Sequence, residues 1–173
     1  MRQYQADPAP IDLEVRKENR KVANWLLFYE ERKKEYQELR EEILGASSQN
    51  LSGASIPKNA VSDPTGKKAV KLAQLQKMEQ WIELVEEVER RLPPKMKVFL
   101  RLRREYRYSA KRNGWVAPVQ WKYAQEVAKM LGKAQEDTWV ESRTTFYYWW
   151  ERIVEYAARL AAKKGLLGGS EKK

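Results

Sequence analysis

The sequence predicts an all-α chain, and three observations predict it. Apolar residues recur at spacings of three, four and seven over successive stretches, which is the period of a helix with one buried face. No stretch alternates apolar and polar residues as a half-buried strand does. Helix stops and starts fall between the periodic stretches: Gly45, Gly132 and Gly165 as stops, Pro64 and the LPPK of residues 92–95 as starts.

The first ten residues are irregular and carry two prolines. A helix is expected after an N-cap at Asp12, with Val15, Val22, Leu26, Tyr29, Tyr36, Leu39 and Ile43 as one stripe and Gly45 as C-cap. Residues 1–45 thus form an N-terminal amphipathic segment whose other faces, as in YEERKKEYQELREE, are filled with charges at helical pair spacing. It reads equally as a coiled coil that dimerises or binds a partner, and as a helix packed on its own chain. Residues 46–62, with ASSQNLSGASIPKNA, are small, polar and broken by Gly and Pro, and read as a flexible linker. A long connecting helix follows over 63–91, capped by Ser62 or Asp63, with Pro64 in its first turn. Its stripe is Leu75, Met78, Ile82, Val85 and Leu92, flanked by Trp81 and Val88. The two long helices suit an antiparallel hairpin within the chain or pairing between chains, and the sequence does not choose.

Residues 92–165 read as several shorter helices. KMKVFLRLRREYRY places Val98, Leu102 and Tyr106 inward, with Lys95, Lys97, Arg101, Arg103, Arg104 and Arg107 around that seam. KRNG is a turn, and VQWKYAQEVAKMLG is a short helix with Trp121, Ala124, Val127, Ala128 and Leu131 apolar and Gly132 as its stop. KAQEDTWV is a loop, and Ser142 caps a last helix that runs to Gly165. Residues 166–173 read as a disordered tail.

Composition narrows function. The 173 residues include no cysteine and no histidine, which excludes disulfides, thiolate chemistry and zinc or haem sites and removes the commonest general base. With no Gly-rich phosphate loop, and with carboxylates lying opposite lysines and arginines, the chain is not expected to be an enzyme or to hold a cofactor or metal. No apolar run approaches the length of a membrane span, and the N-terminus lacks an apolar signal core, so an intracellular, cytoplasmic protein with no membrane partner is expected. The formal charge of +10 is unevenly spread. Residues 1–62 hold ten basic and ten acidic side chains and residues 63–91 hold six and six, whereas residues 92–173 hold eighteen and eight. An excess confined to one half points to a polyanionic partner, and nucleic acid before others.

The last helix divides into two faces. Phe146, Trp149, Trp150, Ile153, Ala157 and Leu160 share one side, while Arg143, Thr144, Tyr147, Tyr148, Glu151, Arg152 and Glu155 lie around the other. Ser142 as N-cap leaves Arg143 and Thr144 in a first turn with free backbone N–H groups, which suits a phosphate or a base edge. A short helix ending in Gly, a turn, and a Ser-capped helix make a helix-turn-helix, whose second helix enters the major groove.

LPPKMKVFLRLR, then YAQEVAKMLG, then ESRTTFYYWWERI resembles the layout of bacterial sigma-factor C-terminal domains. It resembles more closely the phage late-gene transcriptional regulators of the RinA/ArpU type, to which VSDPTGKKAVKLA ahead of a long helix is also similar. The resemblance spans Val61 to Leu160 and implies a sigma region 4-like helix-turn-helix that binds double-stranded DNA and activates phage late genes in a bacterial host cell, engaging host RNA polymerase. It places Ser142, Arg143, Thr144, Tyr147 and Tyr148 at bases or backbone, with Lys122, Arg112 and Arg152 flanking them at phosphates. Glu141 stands where that layout has an apolar residue, KAQEDTW lengthens the turn, and YSAKRNGWVAPV separates the first two helices, which makes this an enlarged helix-turn-helix. A phage small terminase subunit, which joins a helix-turn-helix to helical oligomerisation segments, is the alternative. Homo-oligomers through the N-terminal helices fit either reading.

Overall fold

Apolar stripes of this width are stable only when another element covers them, and the chain covers them with one another. The computed structural model describes residues 10–49, 64–108 and 114–167. Among these residues the chain is all-α, with six helices and one 3-10 turn: α1 (Pro10–Leu27), α2 (Tyr29–Gln49), α3 (Pro64–Arg91), α4 (Pro94–Glu105), α5 (Val116–Leu131), the turn Glu136–Thr138, and α6 (Arg143–Lys163).

The N-terminal segment, expected as one helix, is two helices that meet at Phe28. Arg104 of α4 explains the junction. Its Nε donates to the Leu26 carbonyl at 2.9 Å, its Nη1 reaches Glu89 at 2.9 Å, and its guanidinium lies 4.9 Å from the centre of the Tyr29 ring. A carbonyl near the end of α1 thus takes a cation in place of the next helical turn. Val22, Leu26, Tyr29 and Ile43 of the expected stripe are buried, but Val15 is exposed, with no covering element among the described residues. The helix begins at Pro10 rather than after Asp12. Gly45 is not a C-cap: α2 continues to Gln49, taking the first residues of the expected linker. The rest of that linker, with Ser62 and Asp63, lies outside the described residues.

α2 and α3 pair within the chain as an antiparallel hairpin. Tyr29 donates to Glu86 at 2.7 Å, Lys33 to Glu86 at 3.1 Å, Tyr36 to Glu79 at 3.1 Å and Lys71 to Glu42, so the contacts run backward along α3 as they advance along α2. The α3 stripe is buried from Met78 through Trp81, Ile82, Leu84, Val85 and Val88. Trp25 of α1 stacks on Trp81, with centroids 5.4 Å apart and planes 5° from parallel.

α6 passes through the middle of the assembly, its first half on α4 and α5 and its second half against α1 and α3. One continuous core joins Val22 and Leu26, Trp81 and Val88, Phe99, Val119 and Tyr123, and Phe146, Ile153, Ala157 and Leu160. α1 therefore belongs to the same core as the C-terminal helices. On α4, Phe99, Leu100 and Leu102 are buried and Val98 and Tyr106 flank them. On α5 the buried face is Val116, Val119, Gln120, Tyr123, Ala124, Val127 and Ala128, so Trp121 and Leu131, apolar residues of the same helix, stand exposed. The chain end is tied down as far as Leu166, which is buried, donates its amide to Ala161 at 2.9 Å and receives Lys21 Nζ at 3.4 Å on its carbonyl. Residues 168–173 of the expected tail lie outside the described residues.

Candidate nucleic-acid interface

The turn between α5 and α6 is long, and specific polar contacts shape it. Gly132 ends α5 at φ 63°, a left-handed conformation suited to glycine, and the Lys133 amide returns to the Ala128 carbonyl at 3.0 Å. Thr138 shares its hydroxyl between the Ala124 carbonyl at 2.8 Å and the Gln135 carbonyl at 3.0 Å. Gln120, only 5% exposed, donates its amide to the Val140 carbonyl at 2.7 Å and to the Glu141 carbonyl at 3.4 Å. Two α5 positions thus hold the turn on both sides of Trp139. The half-buried Val140 supplies the apolar contact that Glu141 does not.

α6 starts where expected. Ser142 is extended (φ −82°, ψ 115°) and its carbonyl accepts the Thr145 amide at 3.1 Å, but its hydroxyl makes no capping bond. The first-turn N–H groups of Arg143 and Thr144 therefore have no side-chain cap, and both residues are exposed. One and two turns on, Tyr148 and Arg152 come together, Arg152 donating to the Tyr148 hydroxyl with its guanidinium 5.2 Å from the ring centre.

Tyr147, expected toward solvent beside Tyr148, is half-buried: its ring meets Trp115 edge-on at 5.4 Å and packs on the core. Lys122 is bound to Glu105 of α4 and lies 5.2 Å over the Tyr106 ring. The Glu105 hydrogen bond and charge raise the pKa of this lysine above its ordinary value. Arg112 lies outside the described residues. The site residues that the fold brings together in solvent are Ser142, Arg143, Thr144, Tyr148 and Arg152, all on α6 or at its cap.

Three arginines of the basic seam in and just after α4 are paired with carboxylates. Arg101 pairs with Glu126, Arg104 with Glu89 and Arg107 with Glu31, and Lys164 at the end of α6 pairs with Glu87 at 3.0 Å. Three of these carboxylates belong to the N-terminal half, so folding spends part of the C-terminal excess on internal contacts. Arg103 goes further inward, its guanidinium 4.3 Å from the Trp115 ring centre and 5.2 Å from that of Trp150. Burial pulls its pKa down to about 10, which still leaves it protonated at neutral pH, and its Nε and Nη1 find no acceptor among the described residues. Sequence reasoning missed Arg103, Gln120 and Thr138, because a polar residue at a helical spacing carries no local mark of burial. Lys95, Lys97, Lys129, Lys133, Arg143, Arg152 and Lys163 are exposed, make no ion pair among the described residues and supply cationic surface in this half.

Among the described residues no helix is long and apolar enough to cross a membrane, and no group of three or more Asp or Glu is placed to hold a metal ion. No family model matches the chain, and no curated protein or solved structure is significantly similar to it.

Proposed function

We propose that the protein is a sequence-specific double-stranded DNA-binding transcriptional regulator that lays the start of α6 in the major groove. The observation that carries this reading is the division of α6 along its own axis. Phe146, Ile153, Ala157 and Leu160 fix one side in the core, while Arg143 and Thr144 at an uncapped N-terminus and the Tyr148–Arg152 pair stay in solvent. An arginine at that position suits the paired acceptors of guanine, and the free N–H groups suit a phosphate. With the resemblance of LPPKMKVFLRLR and ESRTTFYYWWERI to phage late-gene regulators, the reading extends to a sigma-like activator working with host RNA polymerase in a bacterial cytoplasm.

The test is selection of bound sequences from a random duplex pool by the full chain, followed by affinity against salt. Three phosphate contacts correspond to roughly a 40-fold loss between 50 and 200 mM salt, because each releases counterions. Flat affinity over that range, or no enriched sequence, rejects the proposal.

One observation favours the small terminase subunit as a second reading. Leu44, Val70 and Leu72 are exposed on the part of the α2–α3 hairpin remote from the core, a surface suited to oligomerisation. Light scattering on the same sample separates the two: a ring of many subunits favours packaging, and a monomer or dimer favours regulation.

A further inference from the structure

Five of the seven tryptophans have their rings covered by the chain itself. Trp25 lies 5.5 Å from Arg32, Trp81 lies 5.2 Å from Lys21, and Trp115 and Trp150 share Arg103. Trp149 packs among Phe99, Tyr123 and Phe146. Trp121 and Trp139 are different. They are 54% and 40% exposed and meet each other at 6.3 Å with planes at 74°. With Gln135 and Glu136 they line a cleft of about 350 Å³.

This cleft is built, because the two side chains that hold the turn also hold Trp139. Thr138 fixes the backbone on one side of it and Gln120 fixes Val140 on the other, each to α5, which carries Trp121. The lengthened turn is thus the part of the helix-turn-helix that presents one indole to the other. Its charge is opposite to its surroundings. Residues 133–142 contain Glu136, Asp137 and Glu141 against the single Lys133, in a half of the chain that carries eighteen basic residues and eight acidic ones. Two part-exposed indoles beside the Glu136 carboxylate suit a cation. A planar guanidinium, which stacks on indole and is weakly hydrated, fits better than a compact ammonium. The chain already sets one guanidinium against two indoles, Arg103 against Trp115 and Trp150, there without a carboxylate.

We infer that the Trp121–Trp139 cleft is a docking site for an arginine side chain of a protein partner, with Glu136 as the counter-charge. It lies on the turn rather than on the exposed face of α6, and its carboxylates repel phosphate, so it serves a protein contact separate from the proposed DNA contact.

The full chain is titrated with an acetylated hexaarginine peptide, following the indole N–H resonances of Trp121 and Trp139 by NMR after assignment with Trp121→Phe and Trp139→Phe. Both resonances are expected to shift, and a hexacitrulline peptide of the same shape is expected to bind about tenfold more weakly because it lacks the charge. Trp139→Ala and Trp121→Ala each lose about three- to tenfold in peptide affinity. Glu136→Gln weakens binding without touching the fold. Duplex affinity is unchanged in the two tryptophan variants and does not fall in Glu136→Gln, whereas Arg143→Ala changes duplex affinity and keeps peptide affinity, so failure of the DNA reading leaves this result intact. Equal binding of hexacitrulline, shifts that avoid both indoles, or unchanged affinity in the tryptophan variants overturns the inference. So does self-association of the chain that Trp139→Ala abolishes, which makes the face a contact between copies.

Discussion

Arg103 and its neighbour Tyr147 show what a single residue's local sequence conceals. In KMKVFLRLRREYRY, Arg103 is one cation among several, and nothing local distinguishes it from Arg101, which pairs at the surface with Glu126. Its two tryptophans come from later segments, so its place is decided by tertiary packing alone. Tyr147 projects onto the outer face for a related reason: a 3.6-residue projection gives the angle of a side chain but not which element covers that angle, and Trp115 covers it. Phe146, by contrast, was legible, because it begins an apolar series that continues through Ile153, Ala157 and Leu160. Two predictions belong here. Phe146→Ala is expected to cost about 3–5 kcal/mol in urea unfolding, since it removes a fully buried ring that touches Phe99, Tyr123 and Trp149. Arg103→Lys is expected to cost on the order of 1 kcal/mol because an ammonium cannot stack as a plane on two indoles. Arg103→Met, which keeps the volume and removes a charge with no carboxylate partner, is expected to cost less. The reverse order in the same unfolding assay shows that an acceptor, not stacking, holds Arg103.

At the scale of elements, the helices were legible and their junctions less so. Gly132 is a stop in the sequence and in the fold, because the chain after it turns away and the α5 carbonyls need the returning amide of Lys133. Gly45 has no such turn; α3 runs beside α2, and contacts such as Lys71 with Glu42 offset the roughly 1 kcal/mol that glycine costs inside a helix. The break at Phe28 depends on Arg104, far along the chain, and left no signal in the uninterrupted stripe from Val22 to Ile43. The candidate site followed the same rule. The α6 face was legible from periodicity, but the long turn looked like slack because its fastenings, Gln120 and Thr138, are polar. Gln120→Ala is therefore expected to cost about 1–3 kcal/mol, since it strips a buried donor from the Val140 carbonyl. It is also expected to raise hydrogen exchange at Trp139 and Val140 ahead of the α6 amides. Unchanged exchange there shows that Thr138 and packing alone shape the turn.

At the scale of the whole molecule, one core runs across the most natural division of the sequence. Charge and motif both suggest a C-terminal DNA-binding unit beginning at Leu92, joined to a separate helical arm. The core ignores that boundary: Val22 and Leu26 of α1 and Trp81, Val85 and Val88 of α3 are buried in the cluster that holds α6. Arg104, Arg107 and Lys164 likewise find their carboxylates in the N-terminal half, at Glu89, Glu31 and Glu87. A fragment of residues 92–173 would expose the side of Ile153, Ala157 and Leu160 that α1 and α3 cover, and would leave the buried cation of Arg104 without Glu89 and the Leu26 carbonyl. Each large apolar side chain lost from that contact withdraws about 1.5–3 kcal/mol, and a few of them equal the whole stability of a small domain. The fragment is therefore expected to show helical circular dichroism without a cooperative thermal transition, and to bind duplex DNA only through charge, without the sequence preference proposed for the full chain. Restoring residues 10–91 as a separate chain is expected to restore the transition. A fragment that melts cooperatively and keeps its sequence preference on its own shows that α4, α5 and α6 suffice, and that the N-terminal helices merely lie against a domain already complete.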